Sequence, residues 1–257
     1  MILRRITKHV REQNWFAIGL DFFIVVIGVF IGIQVSNWNE SLSQLNRSNA
    51  YLERLELDLQ SDLEAINSRQ KFYSDVLLFG EQALSYVEAQ EQNREASWPI
   101  ILAFFQASQI FHYYPNDATY AEIKSVGELD LIENPDIRSN LVKYYSTRTD
   151  QYDFAFRANP KYRETIRGLT PSTVTKYIWD NCHENTQLNE QVFLECNSPI
   201  DAVEIQRLLD IYVSRHDVVE ELRFWASTLQ TSRKLFDAVS ASAQSLKGKI
   251  NAELNKD

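Results

Sequence analysis

A long apolar segment near the N-terminus constrains the fold of this chain more than any other feature. Residues 22–33 form an unbroken run of twelve apolar residues, and the wider segment 15–35 is interrupted only by Asp21 and Gln34. About 20 apolar residues at 1.5 Å each match the ~30 Å hydrocarbon core of a bilayer. One Asp costs at most ~3.5 kcal/mol, whereas the fourteen Leu, Ile, Phe and Val residues of 15–35 contribute roughly 4–8 kcal/mol. The segment 15–38 therefore predicts a transmembrane helix.

Charged residues beside this segment predict its orientation. Four basic side chains precede it, namely Arg4, Arg5, Lys8 and Arg11. The first charge after it is Glu40. Because the flank richer in Lys and Arg stays in the cytoplasm, we expect residues 1–14 to form a cytoplasmic tail and residues 39–257 to lie in the periplasm. A cleaved signal peptide is the alternative, but its apolar core would be unusually long and no Ala-x-Ala cleavage site follows it.

Small residues mark one face of the predicted transmembrane helix. Gly28 and Gly32 form a GxxxG pair, and Ser36 extends the row by one turn. At 100° per residue, Asp21 lies within about 20° of both glycines, on the same face. Small residues spaced by four let two transmembrane helices approach closely, which predicts helix association through this face. In the alternative, the glycines have no partner and Asp21 lies near the lipid headgroups; a proton- or ion-coupling role for Asp21 is the third hypothesis.

The rest of the chain is acidic. Residues 1–37 contain four basic and two acidic side chains, which leaves 22 Lys and Arg against 33 Asp and Glu, a net charge of −11. This charge argues against nucleic acid as a partner. About 220 residues are enough for one sizeable core. Seven Gly and six Pro are few, which disfavours an all-β fold with many tight turns.

Heptad rows predict two long helices at the two ends of this domain. The first row is Leu45, Leu52, Leu59, Ile66, Tyr73, Gly80 and Val87, accompanied by Leu55, Leu63, Leu77 and Leu84 and interrupted by Asn49, Asp62 and Gln70. The C-terminal row is Leu222, Leu229, Phe236, Ala243 and Ile250. We therefore expect a mainly α fold, in which the transmembrane helix is followed by a helical bundle whose long first and last helices pair antiparallel. A coiled coil between chains is the alternative for the first row.

The segment between the long helices holds the candidate binding site. Its proposed residues are His112, Tyr113, Tyr114, Thr119, Tyr120, Lys124, Gly127 and Asn134. Gly127 is expected to end a short helix in the left-handed conformation, and Asn134 is expected to cap the next helix, which continues towards Arg157. The segment is either a groove for a ligand or partner, or a structural corner in which the apolar side chains fill the core.

Cys182 and Cys196 lie in the least regular part of the sequence, after two short helices expected within 161–180. In an oxidising periplasm, two cysteines in one segment predict a disulfide. It would close a loop of about 15 residues and stabilise the fold by ~3 kcal/mol. Free thiols are one alternative. A metal site with His183 and Glu184 is another, although adjacent Cys and His ligands lack the usual zinc spacing.

Two stretches resemble a family of bacterial proteins. One is Asp21–Glu40 behind the basic N-terminus, and the other is Thr119–Asn134 followed by Leu141–Tyr145. Both are similar to single-pass inner-membrane proteins that are classed only as a domain of unknown function. The resemblance implies location in the bacterial inner membrane and a similar architecture. It implies no activity.

No catalytic pattern stands out in the sequence. The four histidines match neither an HExxH motif nor a nucleophile elbow, and no phosphate-binding glycine loop occurs. We therefore expect no cofactor and a protein that acts by binding, as a scaffold or subunit of an envelope complex. Its partners would be the lipid bilayer and either a second copy or another envelope protein. A ligand-sensing domain that signals through a partner is the alternative, and a hydrolase or metal enzyme is the third hypothesis.

Overall fold

The computed structural model of the chain describes residues 15–146, 159–187 and 190–256. These residues form eight α-helices and a two-stranded β-hairpin, so the predicted mainly α fold is confirmed. The helices are α1 (Trp15–Glu88), α2 (Trp98–Gln106), α3 (Ala118–Val126), α4 (Pro135–Ser146), α5 (Lys161–Leu169), α6 (Ser172–Asn181), α7 (Ala202–Ser214) and α8 (His216–Leu254). The strands are β1 (His183–Gln187) and β2 (Glu190–Phe193), and short 3-10 turns occupy Glu91–Asn93 and Leu129–Leu131. The predicted tail 1–14 and the predicted extension of α4 to Arg157 lie outside the described residues.

Helix α1 is a single helix of 74 residues, which makes it about 110 Å long at 1.5 Å per residue. Its first part is long and apolar enough to cross a membrane, by length and composition. Every residue from Phe22 to Arg47 is exposed, and no residue of the apolar window is buried inside the fold. The helix continues without a break through Trp38. The segment predicted to span the membrane and the first helix of the bundle are therefore one continuous rod.

Helix α8 packs antiparallel along the second half of α1. Three polar contacts run in opposite order along the two helices: Glu88 with Arg223 at 3.2 Å, Gln70 with Asp237 at 2.7 Å, and Glu56 with Lys247 at 3.1 Å. Between the helices, Gly80 faces α8, and a Cβ atom added there would make an ordinary van der Waals contact, 3.7 Å from Leu222 Cδ1. The predicted antiparallel pair of long helices is present in the structure.

Two heptad rows of α1 face the core. The first is the predicted row from Leu52 onward, whereas Leu45 is 52% exposed. The second row consists of buried residues and is Ser48, Leu55, Asp62, Arg69, Val76 and Ala83. It differs from the predicted second row, of which Leu63 and Leu84 are only half-buried. Asp62, an interruption in the sequence pattern, is thus a core position, because hydrogen bonds satisfy its carboxylate.

The β-hairpin is the part of the fold that the sequence pattern did not predict. Its strands pair antiparallel with His183 opposite Phe193, in a polar region expected to be irregular. The Phe193 ring stacks on Phe72 of α1 with 5.3 Å between centroids, so the hairpin packs on the first helix. The predicted disulfide between Cys182 and Cys196 is present, with 5.2 Å between the two Cα atoms. It joins the end of α6 to the segment after β2.

Candidate functional site

The small-residue face of α1 has no contact within the described part of the chain. A Cβ atom added at Gly28 or Gly32 would meet nothing within 4 Å, and Ser36 is exposed. At 100° per residue, this face lies about 180° from the buried row that contains Leu55. Asp21 is half-buried and lies on the same face. The predicted association face therefore points away from the bundle.

Polar contacts fasten helix α3 and the residues directly after it to α1. The Glu128 carboxylate accepts hydrogen bonds from Arg47 at 2.6 Å and from the Tyr51 hydroxyl at 2.7 Å. The bond from Tyr51 to this carboxylate raises the pKa of the hydroxyl. Two turns further along α1, the Arg54 guanidinium pairs with Glu122. These pairs are largely exposed and contribute little energy, but they fix the register of α3 along α1.

Two carboxylates of α1 hold the chain that enters α3. Asp62 is 1% exposed and accepts hydrogen bonds from the Asn116 amide at 2.7 Å and the Tyr144 hydroxyl at 2.8 Å. Asp58, one turn earlier, accepts from the Asn116 side chain at 3.0 Å and the Thr119 amide at 3.0 Å. Neither carboxylate was a predicted site residue. For Asp62 the available signal was a charged residue in a core heptad position, which is costly unless it is hydrogen-bonded. Asp58 lies outside the heptad rows, so the sequence held no such signal for it.

A buried arginine and tyrosine of α1 hold the segment before this point. Arg69 Nε donates to the His112 carbonyl at 3.0 Å, and its guanidinium lies 3.3 Å from the Phe111 ring centroid. The Tyr73 hydroxyl donates to the Phe111 carbonyl at 3.2 Å and accepts its amide at 3.1 Å. Burial lowers the pKa of Arg69 to about 10 and raises the pKa of Tyr73 to about 12. His112 is thus positioned through its backbone.

The proposed binding residues divide among three environments. Tyr113, Thr119 and Tyr120 are buried, and Tyr120 stacks on Tyr145 with 4.7 Å between ring centroids. Tyr114 is 63% exposed, and Lys124 is also on the surface. Gly127 and Asn134 lie at a turn between α3 and α4, the segment 127–134, which we call the corner.

The corner has the backbone geometry that its sequence predicts. Gly127 ends α3 with a φ of 72°, the left-handed region that favours glycine. The Asn134 side-chain oxygen accepts the amide of Asp136 at 3.0 Å, which caps α4. The Asn134 side-chain nitrogen donates to Glu253 Oε2 at 2.6 Å. The corner is therefore joined to the C-terminal end of α8.

A cavity of about 320 Å³, the corner cavity, lies between α1, the corner and the end of α8. Its walls are residues 41–52 of α1, residues 130–134 and residues 253–256. Glu253 Oε2 also accepts a hydrogen bond from Lys256 Nζ at 2.7 Å. The hydrogen bonds from Lys256 and Asn134 hold the pKa of Glu253 below its usual value, so this carboxylate is ionised at neutral pH. Of the proposed binding residues, Asn134 lines this cavity.

The region of the cysteines does not supply metal ligands as hypothesised. Cys182 and Cys196 are joined to each other, and a cysteine binds zinc only as a thiolate. His183 is buried against the Trp179 ring, with 4.5 Å between ring centroids, and this burial lowers its pKa. Among residues 15–146, 159–187 and 190–256, no group of three or more His, Cys, Asp or Glu is placed to hold a metal ion.

The fold and these sites define a class: a helical bundle carried on a long helix whose first part is apolar and exposed. The chain belongs to a family described as a family of unknown function (DUF6090), which matches residues 21–162. The matched region contains the small-residue face, the polar contacts of α1 and the corner, whereas Glu253 and Lys256 lie beyond it. No curated protein and no solved structure matches the chain significantly.

Proposed function

We propose that the protein is a single-pass anchor and scaffold of the bacterial inner membrane, and that it acts as a subunit of an envelope complex. The observation that carries this proposal is the exposed apolar part of α1. Its side chains from Phe22 to Val35 have no place in the bundle, and burial of such a segment in lipid is strongly favourable. An apolar patch of this size would promote aggregation in water.

Charge and cysteine chemistry support an outward-facing bundle. Four basic residues precede α1, and the bundle that follows is acidic, which favours a cytoplasmic N-terminus and a periplasmic domain. The disulfide between Cys182 and Cys196 is typical of an oxidising compartment such as the periplasm. A reporter enzyme fused after Asp257 tests this orientation. A periplasmic reporter should be active there, and activity of a cytoplasmic reporter would contradict the proposal.

The direction of the small-residue face supports self-association. Gly28 and Gly32 point away from the bundle, so two copies can meet along their α1 helices with the bundles on the outside. Since α1 is one continuous helix, contact between the anchors would also align the exposed faces of the helices beyond the membrane. A second copy is therefore the favoured partner, and another envelope protein is the alternative.

Cysteine crosslinking provides a direct test of the association. Asn46 is exposed on the same helical face as the glycines, so Asn46→Cys should form a disulfide-linked dimer in native membranes. Replacement of Gly28 and Gly32 by Leu should reduce the dimer yield severalfold, because close helix approach is lost. Gly19→Leu is the matched control, since Gly19 lies about 180° away on α1. An equal dimer yield with the native glycines, with Gly28 and Gly32 replaced by Leu, and with Gly19→Leu would contradict association through this face. The apolar segment would then only anchor the protein.

A ligand-sensing role is the second candidate, and the corner cavity favours it. One wall of this cavity is α1 itself, at residues 41–52, directly after the apolar segment. A ligand there would contact the helix that leads into the membrane. The same dimer measurement distinguishes the two functions: a stable dimer without added ligand supports the scaffold, and ligand-dependent dimer formation supports the sensor.

A further inference from the structure

We propose that the corner cavity binds a small ligand through a primary ammonium group. The proposal begins with Ser48, which lines the cavity from α1 and is 7% exposed. Its hydroxyl makes no hydrogen bond to any described residue. Two other serines of the same helix bond to the carbonyl one turn earlier: Ser41 to Asn37 at 3.0 Å and Ser74 to Gln70 at 2.8 Å. The Ser48 hydroxyl is therefore free to bond a group that enters the cavity.

The lining of the cavity carries more negative than positive charge. It contains the carboxylates of Asp130, Glu133 and Glu253 and the ammonium group of Lys256. Asp130 is 98% exposed and lies 3.8 Å from Arg138 Nη1, so Glu133 and Glu253 are the carboxylates without an arginine partner among the described residues. Glu253 uses Oε2 for both of its hydrogen bonds, and Oε1 accepts none from the described residues. A group that carries positive charge and donates several hydrogen bonds would satisfy Glu253 and Ser48 together.

An organic amine fits this cavity better than a metal ion. The carboxylates are not grouped as a metal site requires, in the part of the chain that the structure describes. The cavity also has apolar walls from Leu45, Leu52 and Leu254, which would contact the carbon atoms attached to an ammonium group. Its volume of about 320 Å³ accommodates a small molecule or the headgroup of a lipid.

The Lys256 side chain places an ammonium group against Glu253 at this cavity. Its Nζ lies 2.7 Å from Glu253 Oε2, while its side chain is 63% exposed near the end of the chain. Such a contact is easily displaced, because an exposed ion pair contributes little. Lys256 is thus an internal competitor for an ammonium ligand. For an anionic ligand it would instead be the attracting group, so removal of Lys256 affects the two ligand classes in opposite directions.

Two kinds of molecule carry such a primary ammonium group. One is a soluble amine in the surrounding compartment. The other is the headgroup of phosphatidylethanolamine, because the rim at Ser41 lies three residues beyond Trp38, about 4.5 Å along the helix. This second source rests on the proposed membrane anchoring, whereas the first does not. A choline headgroup is the natural contrast, since its quaternary ammonium has no proton to donate.

The first experiment titrates the full-length protein in detergent with ethanolamine and with putrescine, by calorimetry. We expect binding by the wild type and a loss of about tenfold or more in Glu253→Gln, which removes one charged hydrogen-bond acceptor. Ser48→Ala should also weaken binding severalfold, without lowering the unfolding temperature of the ligand-free protein. Lys256→Gln should strengthen binding. Glu53→Gln is the control: Glu53 lies one residue beyond Leu52 on α1, is exposed and is outside the cavity, so binding should not change.

The second experiment measures lipid retention by native mass spectrometry, with the protein in nanodiscs of mixed phosphatidylethanolamine and phosphatidylcholine. Preferential retention of phosphatidylethanolamine, lost in Glu253→Gln but kept in Glu53→Gln, identifies the lipid as the source. Amine binding without lipid preference identifies the soluble source. The proposal is overturned if neither probe binds, if Glu253→Gln binds as the wild type does, or if Lys256→Gln weakens binding and inorganic phosphate binds instead. The reporter fusion tests membrane topology separately, so failure of the two proposals is distinguishable.

Discussion

The two parts of helix α1 have opposite environments. From Phe22 to Ile33 its residues are apolar on all faces and exposed, whereas beyond Ser48 one face is buried in the bundle. The buried face of the second part includes the charged residues Asp62 and Arg69, so it is more polar than the exposed first part. Apolar composition alone therefore does not locate the core of this protein. The apolar part is long and apolar enough to cross a membrane, and the bundle tolerates charge where neighbouring chain segments satisfy it.

The buried carboxylate of Asp62 tests the polar part of the core. Asp62→Ala should lower the free energy of unfolding by about 4 kcal/mol, because it leaves the Tyr144 hydroxyl and the Asn116 amide without their acceptor. Denaturant unfolding of the protein in detergent measures this loss. Glu53→Ala, an exposed acidic residue of the same helix, is the control and should change stability by less than about 0.5 kcal/mol. A loss below 1 kcal/mol for Asp62→Ala would show that the hydrogen bonds of the buried carboxylate contribute little to the stability of the bundle.

A matched pair of isoleucines compares the two parts of α1 directly. Ile66 is fully buried, so Ile66→Ala should cost about 3 kcal/mol of bundle stability. Ile27 is 45% exposed and outside the bundle, so Ile27→Ala should leave that stability within about 0.5 kcal/mol. The same unfolding assay in detergent measures both. If Ile27→Ala destabilised the bundle as much, the exposed segment would have a packing role that the structure does not show.

The corner, residues 127–134, provides a test with a smaller expected change in stability. It connects α3, which contacts α1, to α4. Gly127→Ala places a side chain at a φ of 72° and should cost about 1–2 kcal/mol. Gly168→Ala is the control, since Gly168 lies within α5, where a Cβ atom would meet nothing within 4 Å; there the change should be neutral or stabilising. Thermal unfolding distinguishes the two variants. An unchanged melting temperature for Gly127→Ala would indicate that the corner adapts without strain.

The sequence predicts the regular parts of this molecule and misses those that depend on distant partners. The long helices, the Gly127 and Asn134 caps and the disulfide follow from local spacing and residue type. The roles of Asp58, Asp62 and Arg69 do not, because their partners are 43 to 82 residues away in the chain. The corner cavity is likewise formed by segments that only the fold brings together, so Asn134 was predicted as a site residue and Ser48 and Glu253 were not. The hairpin also lacks a local signal, because its aromatic contacts are with α1.

The pH dependence of stability tests the buried face of α1 at Tyr73. Burial raises the pKa of Tyr73 from 10.0 to about 12, so the folded state keeps this hydroxyl protonated where the unfolded state has lost its proton. Its contribution to stability is therefore complete below pH 10 and is lost as the pH rises towards 12. At pH 8, Tyr73→Phe should cost about 1 kcal/mol, because the two hydrogen bonds to Phe111 are lost.

Between pH 10 and 12 this difference between the wild type and Tyr73→Phe should shrink and then reverse, since the variant has no phenol to titrate. Unfolding curves of both proteins at pH 8, 10 and 11.5 measure the trend, and the difference cancels the titration of the other groups that both proteins share. A difference that stays constant across this range would mean that the Tyr73 hydroxyl titrates normally. Water would then reach the buried face of α1 at this position, and the contrast between the two parts of the helix would be weaker than the structure shows.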